Sequence, residues 1–237
     1  MKRNSWSRRV FVAAVSVMAV VGVAACSESR GGNGNGGNGG GVAGGDGATP
    51  IRADDVEQQL DSFPVAELTD EEIAALVWMR EEEKLAHDVY SALGAIYDVQ
   101  VFDNIAAAEQ THTEAVLALL ARYGIADPAE GLGVGEFTDP TLQALYDQLV
   151  AVGSASMDAA FRVGAEIEEL DIVDLQDRAT TTPDIQFVFG NLERGSRNHL
   201  RAFTKQLERS GETYVPTHLG QAEYDAIVAG GMEQGNP

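Results

Sequence analysis

Glu109 and His112 stand three residues apart in the stretch AAEQTHTEAVLALL, Ala107–Leu120. Ile105, Val116, Leu119 and Tyr123 recur around them at helical spacing, so both polar side chains fall on the stripe that should seal a core. Residues one turn apart on a helix are neighbours, which puts a carboxylate beside an imidazole. Three more stretches aim the same residue types inward. Glu83 lies seven residues after Leu76 and seven before Tyr90. Phe161, Gly164, Glu168, Asp171 and Leu175 share one face, where Gly164 leaves space beside Glu168. His199 lies seven after Leu192 and four before Phe203.

Burying an unpaired carboxylate costs several kcal/mol, so carboxylates gathered in one interior require counter-charge. Bound cations would supply it, and carboxylates with imidazoles suit one or two divalent first-row ions. The candidate ligands are Glu83, Glu109, His112, Glu168, Asp171 and His199. Tyr90 is either a packed residue with a hydrogen bond or a redox-active neighbour of the metal, and is the candidate catalytic residue. A competing reading uses no metal: a single E-x-x-H is common as a surface ion pair. Arg80, Lys84, Arg162, Arg197 and Arg201 lie close enough in sequence to pair with these carboxylates. The joint pattern on four helices favours metal. His87, in REEEKLAHD, reads as a surface residue, and His218 has no visible partner.

The elements that must hold these groups are helical. TDEE at Thr69–Glu72 is a capping box that opens a helix to about Ile96, whose inner stripe takes Ile73, Leu76, Glu83, Tyr90, Leu93 and Tyr97. A second helix covers about Val99 to Tyr123, with Gly124 as its stop. GIADPAEGLGVGEFTDP is a loop by its Gly and Pro content. Asp139-Pro140 starts a short helix to about Val152. Ser156 caps a third long helix to about Ala179, and Thr182-Pro183 opens a fourth that ends near Ser210 and Gly211. Nothing alternates with a period of two. The expectation is an all-α fold: a four-helix bundle with a crossover connection and one extra short helix, over residues 69–211. Residues 51–68 form a lead-in, and 212–237 a tail with little signal.

Ahead of this domain, residues 1–26 read as an export signal. MKRNSWSRR is basic, VFVAAVSVMAVVGVAAC is apolar and ends in small residues, and Cys26 is the single cysteine of the 237-residue chain. VAAC resembles the lipobox of bacterial lipoproteins, which implies a lipidated Cys26, a membrane anchor and a place in the cell envelope outside the cytoplasmic membrane. SRRVFV resembles a twin-arginine signal, so the general secretory and twin-arginine routes both stay open. Residues 27–50 are rich in Gly and Asn and form a tether spanning about 20–25 Å. The formal charge is −21, and loss of the basic leader makes the remainder four charges more negative. Such a chain repels nucleic acid. With no strand before its glycines, it also gives no signature of nucleotide binding.

EEEKLAHDVY, FDNIAAAEQTHTEAVLALLARYGI, VGAEIEELDIVDL and GSRNHLRAF together resemble the bacterial family DUF2202, over about Thr69–Leu207. The resemblance implies a ferritin-like, rubrerythrin-like fold with a dinuclear iron or manganese centre. In that pattern Glu83 is the first carboxylate, supported by Tyr90. Glu109 and His112 form the second motif, Glu168 the third carboxylate with Glu166 and Glu169 as rivals, and His199 the last histidine. Ser196 occupies the place of the fourth helix's glutamate. Asp171 could replace that carboxylate, or one metal position is weak or empty. The functional expectation is an envelope-anchored redox protein that acts on ferrous ion or peroxide, with iron or manganese as a mononuclear or dinuclear cofactor. The alternative is a bundle that sequesters metal or binds another envelope protein without catalysis. A homodimer is compatible with either.

Overall fold

Thr69 closes the capping box: its hydroxyl accepts from the Glu72 N–H at 3.2 Å, and the Glu72 carboxylate accepts from the Thr69 N–H at 2.9 Å. From there α2 runs over Asp70–Tyr97. The computed structural model describes residues 53–234. The leader with Cys26 and the tether at 27–50 lie outside the described residues. Among the described residues all regular structure is helical: α1 (Ala53–Leu60), α2, α3 (Gln100–Arg122), α4 (Pro140–Gly153), α5 (Met157–Asp177), α6 (Pro183–Ser210) and α7 (Gln221–Ala229).

The ends follow local chemistry. Gly124 takes φ +64° at the stop of α3. Asp139 caps α4 by accepting from the Thr141 N–H at 2.7 Å, with Pro140 in the first turn. Ser156 caps α5 through the Ala159 N–H at 3.1 Å. Gly211, at φ +85°, ends α6.

The sequence predicts one short helix, and the described residues contain three. α1 lies in the lead-in and packs on α3; α7 lies in the tail and packs on α6. Each is under ten residues, too short for an unmistakable apolar period. Two stripe residues also depart from expectation: Ile73 is exposed, and Tyr97 is half-buried with its hydroxyl on the Gly153 carbonyl at 2.8 Å.

The long helices pack in a ring of neighbours, α2 against α3 and α5, and α6 against α5 and α3, with α4 lying against α2 and α5. α2 and α5 run antiparallel, because Glu72 meets Thr182 at one end and Tyr90 meets Gly164 at the other. α3 and α6 also run antiparallel, since Arg122 meets Asp184 while Glu109 meets His199. An aliphatic cluster that includes Leu76, Met79, Val116, Leu119, Leu175, Val188 and Leu192 fills one end. Tyr90, Phe102, Phe161 and Phe203 fill the interior further along, with ring centroids 5.2–6.4 Å apart. Burial of these side chains drives the packing. Among the described residues no helix is long and apolar enough to cross a membrane.

Candidate metal centre

Between the aliphatic and aromatic clusters, each long helix contributes a polar side chain to one dry site. Glu83 comes from α2, Glu109 and His112 from α3, Glu168 from α5 and His199 from α6, and each is no more than 2 % exposed. They form two triads that share one member: Glu83, Glu109 and His112, then Glu109, Glu168 and His199, with the potential ligand atoms of each triad within 4.8 Å of one another. Glu109 spans both. Its Oε2 lies 2.7 Å from His112 Nδ1, and its Oε1 lies 2.8 Å from His199 Nδ1. Glu83 Oε2 stands 3.3 Å from His112 Nδ1, and Glu168 Oε2 stands 3.5 Å from His199 Nδ1.

These separations are short, yet no ring nitrogen of His112 or His199 has an aligned hydrogen-bond partner, and Glu83 Oε1 has none. Glu109 stands at hydrogen-bond distance from both rings but off the line of their N–H groups, so charge holds these contacts more than aligned hydrogen bonding does. Donors held about 2.1 Å from one ion present edges of about 3 Å to each other, which matches this arrangement. Buried polar atoms without partners are costly in a folded protein, and these groups could be satisfied by holding a metal ion. The mixed N and O donors fit a first-row divalent ion.

The cations that might have neutralised these groups are engaged elsewhere. Arg80 pairs with Asp127, Lys84 with Asp88, Arg162 with Glu212, Arg197 with Glu193 and Glu233, and Arg201 with Glu233. Burial raises the Glu83 and Glu168 carboxyls, each pushed up to about 8. Burial acts the same way on Glu109, but His199 and His112 outweigh it and hold Glu109 well below the usual carboxylate range. Burial disfavours charged imidazoles, and the carboxylates prevail there too. Glu109 and Glu168 push His199 up to about 10, and Glu109 with Glu83 raises His112. Protons therefore do the neutralising where no ion does.

Tyr90 is buried, and its hydroxyl donates to Glu168 Oε1 at 2.6 Å. Asp171 lies beside Glu83 but outside both triads; its Oδ2 accepts from the Ser196 hydroxyl, and its Oδ1 has no partner. Ser196 is occupied in turn, since its one O–H is shared between Asp171 Oδ2 and the Leu192 carbonyl, 3.0 Å away. The rival Glu169 serves the fold, as its Oε2 accepts three backbone N–H groups from Thr217, His218 and Leu219. Glu166 stands 3.5 Å from His218, which gives that histidine the acidic neighbour the sequence did not reveal. His87 is half-buried against Asp88 at 2.9 Å rather than on an open surface. The charged run around it is covered because the 124–139 loop folds onto α2. Glu81 there accepts the Thr138 and Asp139 N–H groups, and Asp88 accepts that of Gly135.

Two glycines shape the site. A Cβ at Gly195 would fall 2.5 Å from the His112 ring, so its absence admits the imidazole against α6. The signal was present in GSRNH, one turn before His199, but the partner on α3 was not. Gly164 does not leave free space beside Glu168: a Cβ there would meet the Phe203 ring at 2.6 Å.

The profile of a family described as an uncharacterized protein domain (DUF2202) matches residues 72–231, through α7. The uncharacterized protein MJ0754 of Methanocaldococcus jannaschii is 43% identical over 180 residues, covering 75% of this chain and 97% of that protein. A crystal structure of hypothetical protein MJ0754 from Methanococcus jannaschii superposes with a TM-score of 0.71 at 44% identity, over 72% of this chain and 99% of the other.

Proposed function

This chain belongs to the DUF2202 family, described as an uncharacterized domain, and from the centre its long helices build we propose a metal-dependent redox function. We read those helices and the long α3–α5 connection as a ferritin-like four-helix bundle with a crossover. Glu83, Glu109, His112, Glu168 and His199 would hold iron or manganese, as one ion or two. Such an ion supplies a change of oxidation state and Lewis acidity toward oxygen or peroxide, in a ferroxidase or peroxide-scavenging reaction. The chain's own groups prepare the site. Glu109 presents one oxygen to each half, Tyr90 holds a proton 2.6 Å from Glu168 Oε1, and the packed Phe102 and Phe203 rings lie on the aromatic side. The lipobox reading adds acylated Cys26 and the cell envelope, so the partners are the ion, the oxidant, the membrane and, as an assembly, a second copy.

One observation carries this reading: two buried triads share Glu109, and no ring nitrogen of His112 or His199 has an aligned hydrogen-bond partner. The test is elemental analysis of the full chain purified from its own cell envelope without added metal. Near-stoichiometric iron or manganese is expected, and its loss in the double variant Glu109→Ala, His112→Ala. Full metal content in that variant would overturn the site.

Ser196 favours a second reading, in which the centre sequesters metal without turnover, because the position carries a hydroxyl bonded to Asp171 instead of another carboxylate. Adding peroxide to the reduced, loaded protein separates the two. A change in the metal's absorption supports redox chemistry; an unchanged spectrum supports sequestration.

A further inference from the structure

Among the described residues, most other buried carboxylates are answered by the chain itself. Asp184 accepts from Arg122 and Tyr123, Glu169 from three backbone N–H groups, and Asp88 from Lys84 and Gly135. The seam between α2 and α5 differs. There a single donor, Trp78 Nε1, serves two carboxylates at once, Glu82 Oε2 at 3.1 Å and Asp174 Oδ2 at 2.8 Å. Arg178 bonds Asp174 at 2.9 Å and lies over the Trp78 ring, 4.9 Å from its centroid, so the positive charge stays at the outer end.

Asp174 keeps 16 % of its side chain exposed at the outer end, whereas Glu82, Asp171 and Glu83 are all buried. The groups are electrostatic neighbours along the seam: beyond the effect of burial, Asp174, Asp171 and Glu83 each raise the Glu82 carboxyl while Arg178 opposes them from the outer end, and Glu83 raises Asp171. Asp171 lies one helical turn before Asp174 on α5, and Glu83 directly follows Glu82 on α2. At the inner end, Asp171 Oδ1 and Glu83 Oε1 are both buried without a donor. A buried acceptor without a donor is destabilising by about 1–3 kcal/mol. Two such oxygens next to the Glu83–Glu109–His112 triad could both serve as ligands to a cation.

We propose that the α2–α5 seam is the access route of a divalent cation: Asp174 and Glu82 take it from solvent, and Asp171 with Glu83 passes it to the Glu83–Glu109–His112 triad. This rests on the metal-binding reading above and assigns work to three residues outside both triads. It also accounts for Ser196, whose hydroxyl fixes one oxygen of Asp171 and leaves the other turned free. A line of carboxyls in a low-dielectric seam offers the cation successive oxygens as it displaces their protons, an effect on kinetics more than on capacity.

The experiment follows free Mn(II) by its electron paramagnetic resonance signal after mixing with the metal-free full chain. Glu82→Gln and Asp174→Asn each keep an oxygen for the Trp78 N–H, and Glu212→Gln removes the same charge at the exposed Arg162 pair. The double seam variant should take up Mn(II) about tenfold more slowly or worse, yet reach the wild-type content at equilibrium, while Glu212→Gln keeps the wild-type rate. Wild-type uptake rates in the seam variants, with normal Mn(II) binding by the wild type, overturn the route alone. No Mn(II) binding by the wild type overturns the metal centre as well. Asp174→Asn, at the partly exposed mouth, decides the matter by itself should Glu82→Gln not fold.

Discussion

Tyr90 on α2 donates its hydroxyl to Glu168 Oε1 on α5 across 2.6 Å, and Tyr90 is held there by the rings of Phe203 and Phe102. The bond ties the aromatic side of the interior to the candidate centre. Tyr90→Phe deletes one O–H from a packed site and changes nothing else in shape. It should lower stability by about 1–3 kcal/mol, read by thermal melting, because a buried carboxylate loses its donor. Bound metal should stay at the wild-type level, since Tyr90 is in neither triad. An unchanged melting temperature would show that the bond contributes nothing.

Gly195 and Gly190 make a paired test on α6. Ala at 195 would place a methyl 2.5 Å from the His112 ring, whereas Ala at 190 meets nothing within 4 Å. Gly195→Ala should destabilise by about 1–3 kcal/mol and reduce metal content through displacement of His112. Gly190→Ala should stabilise by roughly 0.5–1 kcal/mol, because alanine is the better helix former at an exposed position. Equal effects from the two variants in denaturant titrations would contradict the proposed close approach at Gly195.

The pH dependence has a defined sign. Glu83 and Glu168 rise from 4.5 to about 8, and His199 rises from 6.5 to about 10, so the metal-free native state holds more protons than the unfolded chain. Stability of the metal-free protein should therefore fall as pH increases, from about 4.5 to 8 through the carboxyls and from about 6.5 to 10 through His199. An ion displaces those protons, so it binds more tightly as pH rises and raises the melting temperature. The gap in melting temperature between Mn(II)-loaded and chelator-treated protein should widen from about pH 6 to about pH 9. A constant gap would count against proton displacement.

Glu233 fastens the C-terminal segment. Its carboxylate takes Arg197 Nε at 2.8 Å and Arg201 Nη2 at 2.8 Å, while Asn198 and the Glu233 backbone bond reciprocally. Hydrogen bonding from Arg197 holds the carboxyl down at about 2, against an ordinary 4.5. A lowered carboxyl contributes stability above 4.5 that is lost as pH falls toward 2. Hydrogen exchange within Gln221–Ala229 should therefore accelerate in acid before α6 opens. Glu233→Gln should produce the same acceleration at neutral pH, and exchange there at the wild-type rate would refute the fastening.

Much of this architecture is written in local chemistry. Thr69 with Glu72, Asp139 with Pro140, and Ser156 with Ala159 act within one turn, so the starts of α2, α4 and α5 are readable without knowing any neighbour. The helical period does the same for Glu83, Glu109, His112, Glu168 and His199, because inward placement follows from the rotation per residue. α1 and α7 escaped notice because eight or nine residues hold barely two turns of pattern.

Partners were a different matter. EEE at 81–83 is one letter three times, yet Glu81 binds loop N–H groups, Glu82 shares the Trp78 N–H with Asp174, and Glu83 enters a triad. Likewise Glu169 was a rival to Glu168 until residues 217–219, some fifty positions away, were seen to occupy it. The sequence by itself determined that Glu83, Glu109, His112, Glu168 and His199 enter the interior, since helical rotation is a property of consecutive residues. The burial of Glu81, Glu82 and Glu169 depended on partners far along the chain. Only the tertiary structure decided which of them meet each other and which are answered by the chain, because charge and hydrogen bonding act through space between helices far apart in sequence.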